Sequence, residues 1–346
     1  MEKAKSIITF VDNLLGKFRR VFLNIFTVLL LMLITLGIFG SLGSLFESDE
    51  IETEDQILYL EPNGVIVDKA INRNDPFEEF EIFGSSTNQI ELENILKVIN
   101  NAGTDDDLKA IYLDVDGLRA YYTSALKIAD ALYKARENGK EIIAYTSGLG
   151  TTNYLIASQA NEVILEKDAY GSVTPFGFSR VRQYQKDFFE NIKVDMNVYA
   201  AGDFKSGPEG FTRNDMSETD RLAWVEFVTP VWEKYKAKME TGRGFDSGTI
   251  QYIGDNYHIL ATENGGDDNE TALAVGLVDK LMTKQEIRNY MIEKFGSDDD
   301  YEWPEGITGR EYLSTLEDEE ISRKQQRAQD KNKIAVIHVE LSLIHI

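Results

Sequence analysis

The chain reads as an α/β protein with a mostly parallel sheet, carried behind a single membrane-spanning helix, and three observations predict this. Apolar runs of strand length alternate with amphipathic helical stretches between residues 56 and 281, the pattern of successive βαβ units. The runs LKAIYLDV and EIIAY are almost continuous in apolar residues, as strands buried on both faces of a parallel sheet are. Residues 21–46 (VFLNIFTVLLLMLITLGIFGSLGSLF) hold no charged residue, and a run of about 20 apolar residues matches a bilayer core of roughly 30 Å.

The elements follow in order. A basic head, residues 1–20, carries Lys3, Lys5, Lys17, Arg19 and Arg20 against Glu2 and Asp12, and ESDEIETED follows the apolar run. This bias puts the N-terminus in the cytoplasm and everything after residue 46 outside it. A cleaved secretory signal is the competing reading, but its apolar region spans about 7–15 residues and ends at an A-x-A site. The run here is longer and lacks that site, so a retained anchor at residues 21–46 is expected.

Residues 56–67 (QILYLEPNGVIV) read as strand, turn and strand about Pro62, Asn63 and Gly64. Residues 89–100 place Ile90, Leu92, Ile95, Leu96, Val98 and Ile99 largely on one helical face. A strand is expected at 108–115, a helix at 124–138 closed by Gly139, a strand at 141–145, a short helix at 152–160 and a strand at 163–165. Next come a helix at 180–192, a strand at 194–200 and a long helix at 217–241 with Ser217 as its N-cap. Residues 271–281 read as a helix ending at Gly276 and a short strand. These elements make one domain of residues 47–317, followed by a charged linker at 318–332. Residues 333–340 (KIAVIHVE) repeat the character of 56–61 (QILYLE), so residues 333–346 are expected to open a second copy of the domain.

Composition removes several functions. With 36 Lys+Arg and 59 Asp+Glu the net charge is −23; the head holds five basic and two acidic residues, leaving 31 against 57, or −26, for the rest. Such a surface repels a phosphate backbone, so no nucleic-acid partner is expected. The absence of cysteine excludes disulfides, thiolate metal sites and a thiol nucleophile. His258, His338 and His345 lie too far apart to form a metal cluster, and neither metal nor cofactor is expected.

In parallel sheets functional groups gather at the carboxyl ends of strands, here the loops 116–122, 147–153 and 172–177. The sequence has no GxSxG elbow, no Walker loop, no GxGxxG and no histidine-based triad. One segment stands out: YAAGDFKSGPEGFTRNDMS, residues 199–217. It sets Lys205 at the end of the expected 194–200 strand, in a glycine-flanked turn beside Phe204. A lysine acts as a general base when desolvation lowers its pKa from about 10.4 towards neutrality, and a buried strand end can do that. The ordinary alternative is a solvated turn lysine.

This segment resembles the lysine segment of the signal peptide peptidase A family (SppA, protease IV), whose pattern G-x-[YF]-K-S-x-x-E-x-[FY]-x-R-x-x-M-S surrounds a catalytic lysine. The likeness extends through LDVDGLRAYYTSALKIADAL, GKEIIAYTSGLGTTNYLIASQANEVIL and GSVTPFGFS to TALAVGLVDKL. It implies a ClpP/crotonase-like βαβ superhelical fold and a membrane-anchored serine endopeptidase with a Ser/Lys dyad that degrades signal peptides after their release. It places the catalytic domain on the extracytoplasmic side of the inner (plasma) membrane and implies assembly as a homo-oligomer. Lys205 matches the catalytic lysine; Asp203, Ser206, Glu209 and Arg213 match positions around it, where structural roles are expected.

In the family's long, two-copy form the N-terminal copy supplies the lysine and the C-terminal copy the serine. The departures fit such an N-terminal copy. Where the family's nucleophile segment reads S-G-G-Y, this chain has Thr151, Thr152, Asn153 and Tyr154; where the oxyanion turn reads N-S-P-G-G, it has Asp114 to Leu118. The serine is therefore expected beyond residue 346, and the last six residues, LSLIHI, continue nothing in the resemblance. The chain taken alone is accordingly expected to be inactive. Two other readings stand beside this one: a non-catalytic membrane-anchored scaffold or peptide-binding protein of the same fold, and a crotonase-type acyl-CoA enzyme, in which the lysine motif would have no task. An apolar stripe of Phe176, Phe178, Phe188 and Phe189 is expected either in the core or at a contact between copies.

Overall fold

The computed structural model describes residues 18–19, 22–27, 29–32, 35, 55–70, 88–169, 171–199, 201–202, 204–297 and 303–317. The chain divides into two units, residues 1–52 and 53–346. In the first, all the described residues are helical. No helix among the described residues is long and apolar enough to cross a membrane, so the anchor at 21–46 rests on the sequence. Most of the basic head, the linker at 318–332 and the strand expected at 333–346 lie outside the described residues.

The second unit opens with β1 (Gln56–Leu60), β2 (Gly64–Val67), β3 (Gln89–Glu91) and α1 (Leu92–Ala102). There follow β4 (Leu108–Asp114), β5 (Leu118–Arg119) and α2 (Tyr122–Glu137), then β6 (Glu141–Thr146), β7 (Leu149–Gly150) and α3 (Thr151–Ala157). β8 (Glu162–Glu166) and β9 (Val173–Thr174) lead to α4 (Lys186–Asn191), α5 (Glu209–Thr212), α6 (Glu218–Arg243), α7 (Thr249–Glu263) and α8 (Asp268–Ala274). β10 (Lys280–Met282), α9 (Lys284–Phe295) and β11 (Gly306–Thr308) complete it.

The main sheet runs β10-β8-β6-β4-β1-β11, and every pairing is parallel, as the unbroken apolar runs predict. Each of β1, β4, β6 and β8 is followed by a short strand, β2, β5, β7 or β9, that pairs outside the main sheet. One sheet face packs against α1, α2 and α3 in the large core, with Ile99, Ile111, Ile128 and Tyr154 sealed from solvent. The other face carries Ile57, Ile143 and Ile164 against Ile287 and Met291 of α9. There the rings of Tyr59 and Tyr112 lie 5.6 Å apart and those of Tyr112 and Tyr145 6.3 Å apart.

Helix α6 starts where Ser217 was expected to cap it: the Ser217 hydroxyl accepts from the Asp220 amide at 3.1 Å. It stops at Gly244, whose φ of 68° is the left-handed turn that glycine adopts without penalty. Its C-terminal half is docked. Arg136 of α2 donates to the carbonyls of Ala160 and Gly242 at 3.0 and 2.8 Å, and the Tyr235 hydroxyl donates to the Tyr122 carbonyl at 2.9 Å. The N-terminal half leaves Leu222, Val225 and Phe227 exposed.

Two expectations fail in the segment before α6. Of the helix expected at 180–192 only Lys186–Asn191 forms, because the backbone upstream pairs elsewhere: Gln185 donates to Gly210 at 2.8 Å and Lys186 to Arg213 at 3.4 Å. The strand expected at 194–200 is absent over 194–199, and residue 200 lies outside the described residues. Val194, Met196 and Val198 alternate as a strand would, yet they stay 42%, 39% and 38% exposed. Period-2 alternation is a bid for a half-buried ladder, and no described strand pairs with these residues. Conversely, α7, α9 and β11 form from residues to which the sequence reading assigned no element.

Candidate active site

The three loops expected at the carboxyl edge of the sheet meet there. The Asp116 carboxylate accepts from the Thr146 hydroxyl at 2.5 Å, the Ser147 amide at 2.7 Å and the Ser147 hydroxyl at 2.5 Å, tying the end of β4 to the end of β6. Asn153 of α3 donates to the carbonyls of Val115 and Leu118 at 2.7 and 3.0 Å. The Leu149 amide donates to Ser172 at 3.0 Å. Thr151 closes the set: its hydroxyl donates to the Gly177 carbonyl at 2.7 Å and accepts from the Gly177 amide at 3.2 Å.

Thr151 is nearly buried, so both hydrogen-bonding capacities of its oxygen are engaged inside the fold, and it is a staple rather than a free hydroxyl. Next to it an open cavity of about 310 Å³ is lined by Ser147, Gly148, Gly150, Gly171, Ser172 and Thr174. Asp114, at the end of β4, is a carboxyl under strain of environment. Burial pushes its pKa up to about 6; the hydrogen bond from the Asp116 amide works against that rise, and the nearby charges of Asp116 and Glu61 add to it.

Lys205 lies elsewhere in the chain's network. It is exposed and sits in a turn whose amide donates to Gly202 at 3.3 Å; Gly202 has a φ of 97°, a conformation that favours glycine. Among the described residues no hydrogen bond or ion pair reaches its ammonium. Among the described residues the buried strand end expected to desolvate it is not formed, because no strand forms over 194–199. The backbone around Lys205 is nonetheless held firmly. Glu209 accepts from the Ser217 hydroxyl at 2.5 Å and the Ser217 amide at 3.2 Å, which ties α5 to the cap of α6. Arg182 donates to the carbonyls of Ser206 and Gly207, each at 2.5 Å.

At the root of this arrangement Asp220, only 4% exposed, faces two guanidiniums: Arg180 at 3.1 Å and Arg182 at 3.3 Å. Burial alone would raise the Asp220 pKa; the hydrogen bonds from the Ser206 hydroxyl and Arg180, with the charges of both arginines, outweigh it and hold the carboxyl below the usual range. Glu209 and Arg213 behave as the structural positions they were expected to be, Arg213 pairing with Asp215 at 2.8 Å. Asp203 lies outside the described residues. Around the turn Val181, Phe188, Tyr199, Phe204 and Phe211 are exposed. The phenylalanine stripe divides accordingly: Phe178 packs on Tyr122 and Tyr235 with ring centroids 4.4 and 5.0 Å apart, while Phe188 faces outward.

Residues 134–296, which contain both Thr151 and Lys205, match the sequence profile described as Peptidase family S49. Protease 4 of Salmonella typhi is 28% identical over 287 residues, 80% of this chain and 45% of that protein. Protease 4 of Haemophilus influenzae is 27% identical over 259 residues, 74% of this chain and 40% of that protein. The chain thus spans less than half the length of these relatives. Among solved structures, Pseudomonas aeruginosa DspI matches at 12% identity with a TM-score of 0.24, over 69% of this chain and 79% of that one.

The fold also brings together residues that the sequence pattern does not mark. Arg180 and Arg182 lie about forty positions before Asp220 and carry no periodic signal, so only the fold brings them to it. Asp116, Thr146 and Ser147 had a weak signal, their position at strand ends. Among the described residues no group of three or more metal-ligating side chains forms a metal site.

Proposed function

We propose that this chain is the lysine-bearing half of a membrane-anchored serine endopeptidase that works through a Ser/Lys dyad and degrades signal peptides after their release. Lys205 is the general base: its neutral amine takes the proton of a serine hydroxyl as that oxygen attacks the scissile carbonyl, and the resulting ammonium returns the proton to the leaving amine. The serine belongs to a part of the protein beyond this chain. In the proposed setting the catalytic domain faces the extracytoplasmic side of the inner membrane, anchored by residues 21–46, and works as a homo-oligomer.

The observation that carries this reading is the Lys205 turn itself: a backbone pinned by Arg182 and Glu209 that offers a bare ammonium within a field of uncovered apolar side chains. A surface laid over Phe188, Phe204 and Phe211 would exclude water from the amine and lower its pKa, which a neutral general base requires. The likeness to Protease 4 of two bacteria adds weight, as does the match of residues 199–217 to the SppA lysine pattern.

The test is Lys205→Ala in the full-length protein. Hydrolysis of a fluorogenic signal-peptide substrate falls by about 10²–10⁴-fold, the usual worth of a general base, while the thermal midpoint stays unchanged; activity at the unsubstituted level refutes the assignment. The second reading, a non-catalytic scaffold of the same fold, is favoured by one observation, the Thr151 hydroxyl locked to Gly177 where the family pattern has its nucleophile. A full-length protein that fails to react with a serine-directed fluorophosphonate would favour that reading.

A further inference from the structure

We propose that Arg182, held by the buried carboxylate of Asp220, is a positioning residue for the general base, fixing the Lys205 turn against the first turn of α6. This rests on the reading of Lys205 as that base and goes beyond it by naming what orients it.

Asp220 is almost sealed from solvent, and a buried carboxylate is costly unless paired and hydrogen-bonded. Here one carboxylate meets two guanidiniums, more positive charge than neutralising it requires, so charge balance does not explain the second arginine. Geometry does. Arg182 presents Nη1 to Asp220 and Nη2 to the carbonyls of Ser206 and Gly207, the two residues that follow Lys205. The planar, multi-donor guanidinium can serve three oxygens at once; a lysine ammonium, a point charge on a flexible stem, cannot hold them in one plane.

Asp220 sits in the first turn of α6, itself docked on the core through Arg136 and Tyr235. A rigid path therefore runs from the core through α6, Asp220 and Arg182 to the backbone beside Lys205. The lysine side chain stays free of these contacts, as a group that must move a proton has to be. Glu209 with Ser217 holds the far side of the same loop, so loss of Arg182 loosens the turn without detaching it.

The experiment compares Lys205→Ala, Arg182→Ala, Arg182→Lys and, as a control, Arg221→Ala in the full-length protein. Arg221 makes an exposed ion pair with Glu218 on the same helical turn. Misplacing a reacting group by about 1 Å costs about 10²-fold, so Arg182→Ala and Arg182→Lys each lower kcat about 30–100-fold, with KM within about 2-fold and thermal midpoint preserved. Arg221→Ala retains kcat. Arg182→Lys guards against a folding defect, because it keeps the charge beside Asp220 and loses only the fork. If Lys205→Ala is inactive while folded Arg182→Lys keeps kcat within about 3-fold, the positioning role is overturned and the general-base reading stands. If Lys205→Ala is itself active, the general-base reading falls, and this inference with it.

Discussion

The parallel sheet and the Lys205 segment belong to one compact unit, yet they satisfy their residues in opposite ways. In β4, β6 and β8 apolar side chains are closed off within the chain: Ile111, Ile143 and Ile164 are all sealed. Between residues 181 and 211 an equally apolar set stays open to solvent, with Val181 at 93% and Tyr199 at 96% exposure. What orders this second region is polar: Arg182 on two carbonyls, Glu209 on Ser217 and Asp187 on Asn214. The sheet is finished by its own chain. The lysine segment is shaped by polar contacts of its own chain and leaves its apolar surface exposed.

Substitutions can break this contrast. Ile111→Ala, in the finished region, should cost about 2–5 kcal/mol in chemical denaturation, the range for truncating a sealed aliphatic side chain; a loss below about 1 kcal/mol would mean the sheet is less closed than described. Gly242→Ala tests the junction between the regions. An added Cβ would lie 2.5 Å from the Ser158 carbonyl oxygen, so α6 must shift, at a cost of about 1–3 kcal/mol, read in the same denaturation experiment.

Asp114 sharpens the contrast from the electrostatic side. Its folded pKa of about 6 lies above the unfolded carboxyl value. The group therefore contributes stability that is fully present below about pH 4 and is lost as pH rises through about 6. Asp114→Asn removes that slope and raises stability at pH 7 by about 1 kcal/mol once solvent screening is allowed for. Thermal midpoints measured from pH 4 to 7 check it, and an unchanged slope would contradict the account. The smallest effect is expected for Phe188→Ser in the open region, within about 0.5 kcal/mol for the monomer. In the proposed homo-oligomer the same substitution should weaken self-association in sedimentation, and a monomer loss above about 1 kcal/mol would show that the side chain is already packed.

Legibility in the sequence followed the same division. The β4–α2–β6–α3–β8 run was readable because every element answers a local pattern with a partner from its own neighbourhood. Ser217 capped α6 as its residue type predicts. Lys205 was singled out through a motif, and it lies in an exposed turn rather than at the end of the strand expected before it. The strand expected at 194–200 was misread because alternation reports what a segment could bury, not whether a partner is present. Arg180, Arg182 and Asp220 were missed because two arginines in a loop and an aspartate in a helix about forty positions on look like surface until the fold brings them together.

By itself the sequence determined the parallel sheet, the charge asymmetry about the apolar run at residues 21–46 and the position of the lysine, since each is written in local periodicity, charge or spacing. Only the tertiary structure decided that Thr151 is a bonded staple, that Asp220 is buried between two arginines and that Lys205 stands uncovered. Those facts depend on long-range contacts between segments 20 to 40 residues apart, and no local pattern carries the desolvation on which the chemistry of each group turns.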